Sequence, residues 1–131
     1  MDLSQLRPGM EGLAQAKVGP EHTARAMGSG SELVFATPAM VALMEAAAVN
    51  CVETFLPEGH ISLGTQITVN HLGASAEGAT VSARAELVSL EGRLLHFKVT
   101  ALEDGNVVGE GTHTRTVVER ERFLAKFAPS Q

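Results

Sequence analysis

The chain has 131 residues, a net charge of −5 and 44% hydrophobic residues, which fits a single domain over residues 1–131. The ten Lys and Arg residues form no dense cluster, so we exclude a nucleic-acid groove as the binding surface. No apolar stretch approaches the ~20 residues of a membrane span, and we expect no membrane-spanning segment. A single cysteine, Cys51, and an N-terminus without the pattern of a signal peptide lead us to expect a cytoplasmic protein.

The first third of the chain predicts one strand and one short helix. Residues 13–18 alternate between apolar and polar side chains, which favours a strand that ends at Gly19-Pro20. Residues 21–27 predict a turn of helix. The Gly/Ser-rich residues 28–31 then predict the most flexible segment of the chain.

A run of Ala, Leu and Met over residues 38–55 predicts a long central helix, since these residues are strong helix formers. Thr37-Pro38 is a natural helix start, with Thr37 as the N-cap. The helix is apolar on nearly every face, which is typical of a buried helix. Glu45 lies inside this run, where an ionised carboxylate is costly to bury unless it is paired, hydrogen-bonded or protonated. Glu45 is therefore either a functional group or a residue at the helix edge that pairs with an arginine.

Four antiparallel strands are predicted after the helix, because apolar and polar residues alternate over residues 63–70, 80–87, 95–101 and 107–118. Turn signals at Glu91-Gly92 and around Gly105 separate them, and residues 119–127 predict a short closing helix. A strand, a long helix and a four-stranded meander predict an α+β fold in which one curved sheet wraps around the helix. One side of the helix would stay uncovered, so we expect a homodimer.

The chain contains no motif of a metal, nucleotide or serine-hydrolase site. Its five histidines lack metal-ligand spacing, and G-x-S-x-G, P-loop and dinucleotide motifs are absent, so we expect neither a metal nor another cofactor. Three residues that follow the helix have ordinary explanations by themselves. His71 fits a solvated strand end, Gly64 a strand glycine, and Arg115 a surface cation.

Five segments, taken in order and spacing, are more informative than any single residue. They are FATPAMVALME at 35–45, SLGT at 62–65, NH at 70–71, LVSLEGR at 87–93 and GEGTHTR at 109–115. Together they resemble the fluoroacetyl-CoA thioesterase family of hotdog-fold proteins over about residues 33–127. The resemblance implies a hotdog fold and the hydrolysis of an acyl-CoA to a carboxylic acid and free CoA.

The resemblance implies catalytic roles for Thr37, Glu45 and His71. Glu45 would attack the thioester carbonyl, or it would deprotonate the attacking water. His71 would exchange protons with the thiolate leaving group and the hydrolytic water. The hydroxyl of Thr37 would orient Glu45 or the acyl carbonyl.

Three further residues are implied at the substrate. The backbone N–H of Gly64 would donate to the thioester oxygen, where a side chain would block the approach. Arg115 would orient a carboxylate or contact CoA, and Phe35 would contact the substrate.

The segment before the helix departs from the family pattern. The aromatic lid of the fluoroacetate-specific member corresponds here to residues 26–32, a shorter stretch without Phe that predicts a mobile, non-aromatic gate. The resemblance therefore does not carry selectivity for fluoroacetyl-CoA. The chain has no Trp or Tyr, and a pocket of Met, Leu, Val, Ala and Phe suits a small aliphatic acyl group.

Two alternatives stay open. A hotdog hydratase would add water across an enoyl-CoA double bond. A non-catalytic acyl-CoA-binding module would bury Glu45 against an arginine such as Arg115.

Overall fold

The computed structural model describes residues 1–129, which form one antiparallel sheet and one long helix with short helical segments. The strands are β1 (Glu11–Lys17), β2 (His60–His71), β3 (Thr80–Glu91), β4 (Leu94–Glu103) and β5 (Asn106–Glu119). The helices are α1 (Ala24–Met27), α2 (Thr37–Val52) and α3 (Arg120–Ala125), with single 3₁₀ turns at Pro20–His22 and Glu53–Phe55. The predicted central helix, the closing helix and all five strands are confirmed, with bounds shifted by a few residues.

The strand order in the sheet is β1-β3-β4-β5-β2, with every neighbouring pair antiparallel. Only β3, β4 and β5 form a meander, so the predicted four-stranded meander is wrong. Both edges of β3 are already paired, one with β1 and the other with β4. Strand β2 pairs instead with β5, the last strand. Consequently β2 is a long edge strand, and one of its two sides has no partner strand among residues 1–129.

Helix α2 packs against the sheet most closely where β1 carries Gly12. A Cβ at Gly12 would collide with the backbone of Ala47 and Cys51, so only glycine permits this approach. Cys51 is buried, and burial raises the pKa of its thiol. Cys51 is therefore a packing residue, since a nucleophilic cysteine requires a lowered pKa.

The outer side of α2 is less covered than its composition suggests. Met40, Met44 and Ala47 face the sheet and are fully buried, whereas Ala42 and Ala46 are exposed. By length and composition the helical segment 37–55 could span a membrane, so the expectation that no segment approaches that length is wrong. In this fold the segment packs as the core helix of the sheet.

The segment after α1 has a defined turn conformation. Gly28 ends α1 in the left-handed region at φ 71°, and the Ser29 N–H donates to the Ala24 carbonyl. The Arg25 Nε–H donates to the Ser31 carbonyl at 3.0 Å. These bonds tie the segment back to α1, and its predicted mobility stays a prediction.

Candidate functional site

The first residue of α2 contacts the last residue of β2. The hydroxyl of Thr37 lies 2.8 Å from Nδ1 of His71. Ala36 is the N-cap of α2, and the Thr37 side chain makes no cap hydrogen bond, so the predicted capping role of Thr37 is wrong. Its hydroxyl is instead committed to the imidazole, which fixes the orientation of the ring.

The second ring nitrogen of His71 is the unusual feature of this pair. Nε2 is buried and has no hydrogen-bond partner among residues 1–129. Since buried polar atoms are nearly always paired, a lone imidazole nitrogen marks a functional candidate. His71 also lines a cavity of about 300 Å³, together with Phe35 and Thr37. Phe35 is buried and also lines a more apolar groove along the outer side of α2.

A second cluster surrounds Gly64, near the other end of β2. A Cβ at Gly64 would lie 2.7 Å from Oε2 of Glu45, 3.2 Å from Cε1 of His113 and 3.3 Å from Nη1 of Arg115. The missing side chain therefore leaves the Glu45 carboxylate and the Arg115 guanidinium facing the same small space. Glu45 is half-buried in the single chain, so the expectation that it is enclosed is wrong. It forms no hydrogen bond or ion pair with its side chain among residues 1–129.

Arg115 is held by a buried network and is not a surface cation. Only 6% of the residue is exposed. Its Nε–H donates to Oγ of Ser62 at 2.8 Å, and its Nη2–H donates to the Ser62 carbonyl at 3.0 Å. The Ser62 hydroxyl in turn donates to Oε2 of Glu53 at 2.8 Å, and the Ser62 N–H donates to Oε1 of Glu53 at 3.2 Å. Burial lowers the pKa of Arg115, while the carboxylates of Glu53 and Glu45 act to raise it.

His113 completes the cluster in one defined tautomer. Its Nδ1 lies 2.7 Å from the Gln66 carbonyl, which can only accept, so Nδ1 carries the proton. Nε2 is then free to accept from Nη1 of Arg115 at 3.2 Å. Burial lowers the pKa of His113, the Arg115 cation lowers it further, and the Gln66 hydrogen bond and Glu45 oppose both effects. The ring is therefore neutral near pH 7, stacked on Phe97.

A β-bulge sets the geometry of β2. The register with β5 shifts between Gly64 and Gln66, so Thr65 is the extra residue. Side chains alternate along a strand, and without the bulge Gly64 and His71 would point to opposite faces. With the bulge, both lie on the face that carries α2, because Gly64 pairs with Arg115 and His71 pairs with Gly109, two residues of one face of β5.

The single chain brings the predicted site residues together in two groups. Thr37 meets His71, and Glu45 meets Gly64 and Arg115. Thr37 and Glu45 are about 12 Å apart along α2 at the usual helical rise. Gly64 and His71 are separated by roughly 20 Å along β2.

Three polar residues of the second cluster carry no role in the sequence prediction. His113 shares a strand face with Arg115 and two glycines, a period-two signal that could have identified it. Ser62 and Glu53 have no signal in the sequence, because their importance arises only when the end of α2 meets the start of β2. Within residues 1–129, no three His, Cys, Asp or Glu side chains converge so as to hold a metal ion.

Comparisons with known proteins show the family of this chain. Residues 18–121 match the family model of the fluoroacetyl-CoA-specific thioesterase FlK. A fluoroacetyl-CoA thioesterase from Streptantibioticus cattleyicolor is 47% identical over 93 residues, which cover 71% of this chain and 67% of that protein.

Solved structures give the same fold. A variant of FlK in complex with acetyl-CoA has a TM-score of 0.86 at 39% identity, over 93% of this chain and 96% of that chain. A hot-dog-like protein from Thermanaerovibrio acidaminovorans, at 24% identity, shares the fold with a TM-score of 0.85 over 99% of this chain and 100% of that chain. The predicted α+β hotdog fold is confirmed. The chain belongs to the FlK family of hotdog-fold thioesterases and is a thioester hydrolase.

Proposed function

We propose that the substrate is an acyl-CoA with a small aliphatic acyl group, released as the carboxylic acid and free CoA, and that Glu45 and His71 perform the chemistry. The observation that carries the proposal is the Thr37–His71 pair, which leaves a buried imidazole nitrogen unpaired beside a cavity. The acetyl-CoA complex of a FlK variant supports an acyl-CoA substrate. The absence of an aromatic residue in 26–32 supports a broader acyl preference than fluoroacetyl.

In this proposal Glu45 and His71 perform different parts of the reaction. Glu45 attacks the thioester carbonyl or takes a proton from the attacking water, and the oxygen of the tetrahedral intermediate accepts from the Gly64 N–H. His71, oriented by Thr37, supplies the proton that the departing thiolate needs through Nε2. Arg115 lies beside Glu45 and offsets the negative charge that accumulates there.

We also propose that the active protein is a homodimer in which β2 pairs with β2 of a second copy. An edge strand with a free side supports pairing, and so does the partly uncovered outer side of α2. Antiparallel pairing centred on Thr68 would place Gln66 opposite Asn70 of the partner subunit. The bulge at Gly64 would then face His71 of the partner subunit, so each site would take Glu45 from one chain and the Thr37–His71 pair from the other.

Two alternatives from the sequence are less well supported. A non-catalytic module predicted an ion pair between Glu45 and Arg115, but their charged atoms stay more than the 4.0 Å of an ion pair apart. Nothing in the geometry favours addition of water to a double bond.

The free, buried thiol of Cys51 agrees with our proposal that the protein works in the cytoplasm.

A thiol-release screen tests the activity. Acetyl-, propionyl-, butyryl-, crotonyl- and fluoroacetyl-CoA are offered to the wild type and to Glu45→Gln, with Glu86→Gln on the exterior of β3 as the matched control. We expect free CoA from the short saturated substrates with the wild type and with Glu86→Gln, and a loss of about 10²- to 10⁴-fold for Glu45→Gln. Hydration of crotonyl-CoA without thiol release would identify a hydratase, and CoA binding without turnover would identify a binding module.

A cysteine at the proposed two-fold centre tests the dimer. In Thr68→Cys the Cα atoms of the two opposed cysteines would lie about 4.5–5.5 Å apart, as in paired strands, and this separation permits a disulfide. We expect a covalent dimer under mild oxidation, and none from Leu13→Cys on the opposite edge of the sheet. A monomer in sedimentation that retains full activity would contradict the proposal.

A further inference from the structure

A set of hydrogen bonds runs from the turn after α2 to Arg115 and His113, beside the space that the Glu45 carboxylate also faces. Glu53, in the turn after α2, accepts twice from Ser62 on β2. Ser62 accepts twice from Arg115 on β5, once at its hydroxyl and once at its carbonyl. Arg115 reaches His113 and the space beside Gly64 that Glu45 also faces. The network therefore starts in the turn after α2, passes through β2 and β5, and ends beside Glu45 without a hydrogen bond to it.

Most of the N–H donors of the Arg115 guanidinium are hydrogen-bonded within the protein. Of its five N–H groups, one from Nε and one from Nη2 go to Ser62, and one from Nη1 goes to His113. Two N–H groups remain, one on Nη2 and one on Nη1, and Nη1 is the atom that lies 3.3 Å from the absent Cβ of Gly64. The three committed donors fix the plane of the guanidinium and hold Nη1 beside the space that Oε2 of Glu45 also faces.

We propose that Glu53, Ser62 and His113 are positioning residues that hold Arg115 beside Glu45. This inference rests on the proposed catalytic role of Glu45. Arg115 then presents a fixed positive charge where negative charge develops on the carboxylate or on the tetrahedral intermediate. A preorganised charge needs no reorientation during the reaction, and its contribution appears in the transition state rather than in substrate binding.

The arrangement explains why His113 is neutral and carries its proton on Nδ1. The groups that face this ring are Arg115 from β5, Glu45 from α2, the uncharged Phe97 from β4 and the Gln66 carbonyl from β2. Only the neutral tautomer with its proton on Nδ1 can accept from Arg115. A protonated ring would turn an N–H toward the guanidinium and push it away.

Two pairs of variants test the inference. Ser62→Ala removes the hydroxyl that links Glu53 to Arg115, and Ser62→Thr keeps it. Glu53→Gln removes the charge at the far end of the network without touching Arg115. Ser82→Ala is the matched control, since Ser82 is a strand serine whose hydroxyl accepts from Gln15 on the other side of the sheet. For each we measure kcat, KM for acetyl-CoA and the folded fraction at the assay temperature.

We expect kcat per folded molecule to fall about 10- to 100-fold in Ser62→Ala and Glu53→Gln, the range for the loss of a charge-assisted hydrogen bond, with KM little changed. Ser62→Thr should restore most of kcat, and Ser82→Ala should match the wild type. If both variants lose melting temperature but keep kcat, or change KM alone, the network is merely structural. An inactive Glu45→Gln beside a fully active Ser62→Ala overturns this inference alone, whereas a fully active Glu45→Gln overturns the proposed function and this inference with it.

Discussion

The two ends of β2 differ in how their polar groups are satisfied. Around Gly64, Arg115 is nearly fully buried and hydrogen-bonded to Ser62 and His113, while the Glu45 carboxylate beside it makes no hydrogen bond among residues 1–129. Around His71, one ring nitrogen is paired and the other is left open beside a cavity. The paired network of Arg115 can hold a positive charge in place beside Glu45. The unpaired Nε2 of His71 can exchange a proton with a substrate, so in the proposed chemistry one region positions charge around Glu45 and the other protonates the leaving group.

Replacing His71 tests the difference between the two regions most directly. His71→Ala should lower kcat by roughly 10²- to 10⁴-fold, because it removes the proton donor. The melting temperature should change little, because the ring makes one side-chain hydrogen bond among residues 1–129, to Thr37, an exposed residue whose hydroxyl can bond to water instead. His113→Ala should lower the melting temperature markedly as well as kcat, because it leaves a buried Arg115 donor and the Gln66 carbonyl unpaired. Equal losses of stability in the two variants would mean that the two ends do not differ as described.

Gly64→Ala tests the space that Glu45 and Arg115 share. The new methyl group would lie 2.7 Å from the end of a flexible carboxylate, so Glu45 has to move while the fold persists. We expect kcat to fall about 10- to 100-fold, the effect of misplacing a reacting group, with the free energy of unfolding nearly unchanged. Steady-state kinetics and urea denaturation measure the two quantities.

Gly12→Ala is the contrasting control for that variant. Its methyl group would meet the backbone of α2, which cannot step aside. We expect a loss of roughly 3 kcal/mol in the free energy of unfolding, as in an overpacked core. A kcat effect in Gly64→Ala that simply followed a loss of stability like that of Gly12→Ala would count against a catalytic role of this space.

Thr37 should give an intermediate effect. Thr37→Val keeps the shape but removes the hydroxyl that orients His71, and we expect kcat to fall about 10-fold, the value of one hydrogen bond. Thr37→Ser keeps the hydroxyl and should retain most of the activity. Since the hydroxyl is not an N-cap, circular dichroism should show the same helix content in both.

The smallest expected effect concerns pH and stability. The pKa of His113 lies below its ordinary value of 6.5 in the folded chain, so below that pH the unfolded chain binds more protons. The stability that this residue contributes is therefore fully present above about pH 6.5 and is lost as the pH falls toward the folded-state value. We expect the wild type to lose more melting temperature between pH 7 and pH 5 than His113→Gln, whose amide does not titrate. Parallel curves for the two proteins would contradict the neutral, buried ring.

Local patterns predicted most of the fold. The apolar run of α2 and the alternation in β3 and β5 depend on nearby residues, and their elements appear where expected. The position of β2 depends on which distant strand it pairs with, and no local signal distinguishes β3 from β5 as its neighbour. The pairing of Thr37 with His71 and of Glu53 with Ser62 likewise joins residues that only the folded chain brings together. Arg115 is buried by the same kind of long-range contacts. Because these contacts cannot be read from the sequence, an arginine in a strand suggested a surface cation.

The central claim is that each site combines Glu45 of one subunit with His71 of the other. Glu45→Gln and His71→Ala are each expected to be inactive as homodimers. When the two proteins are unfolded together and refolded as a mixture, half of the dimers contain both chains, and each mixed dimer has one intact site. The account predicts recovery of about a quarter of the wild-type rate of CoA release. A mixture as inactive as its components, with mixed dimers demonstrated by native mass spectrometry, would contradict it.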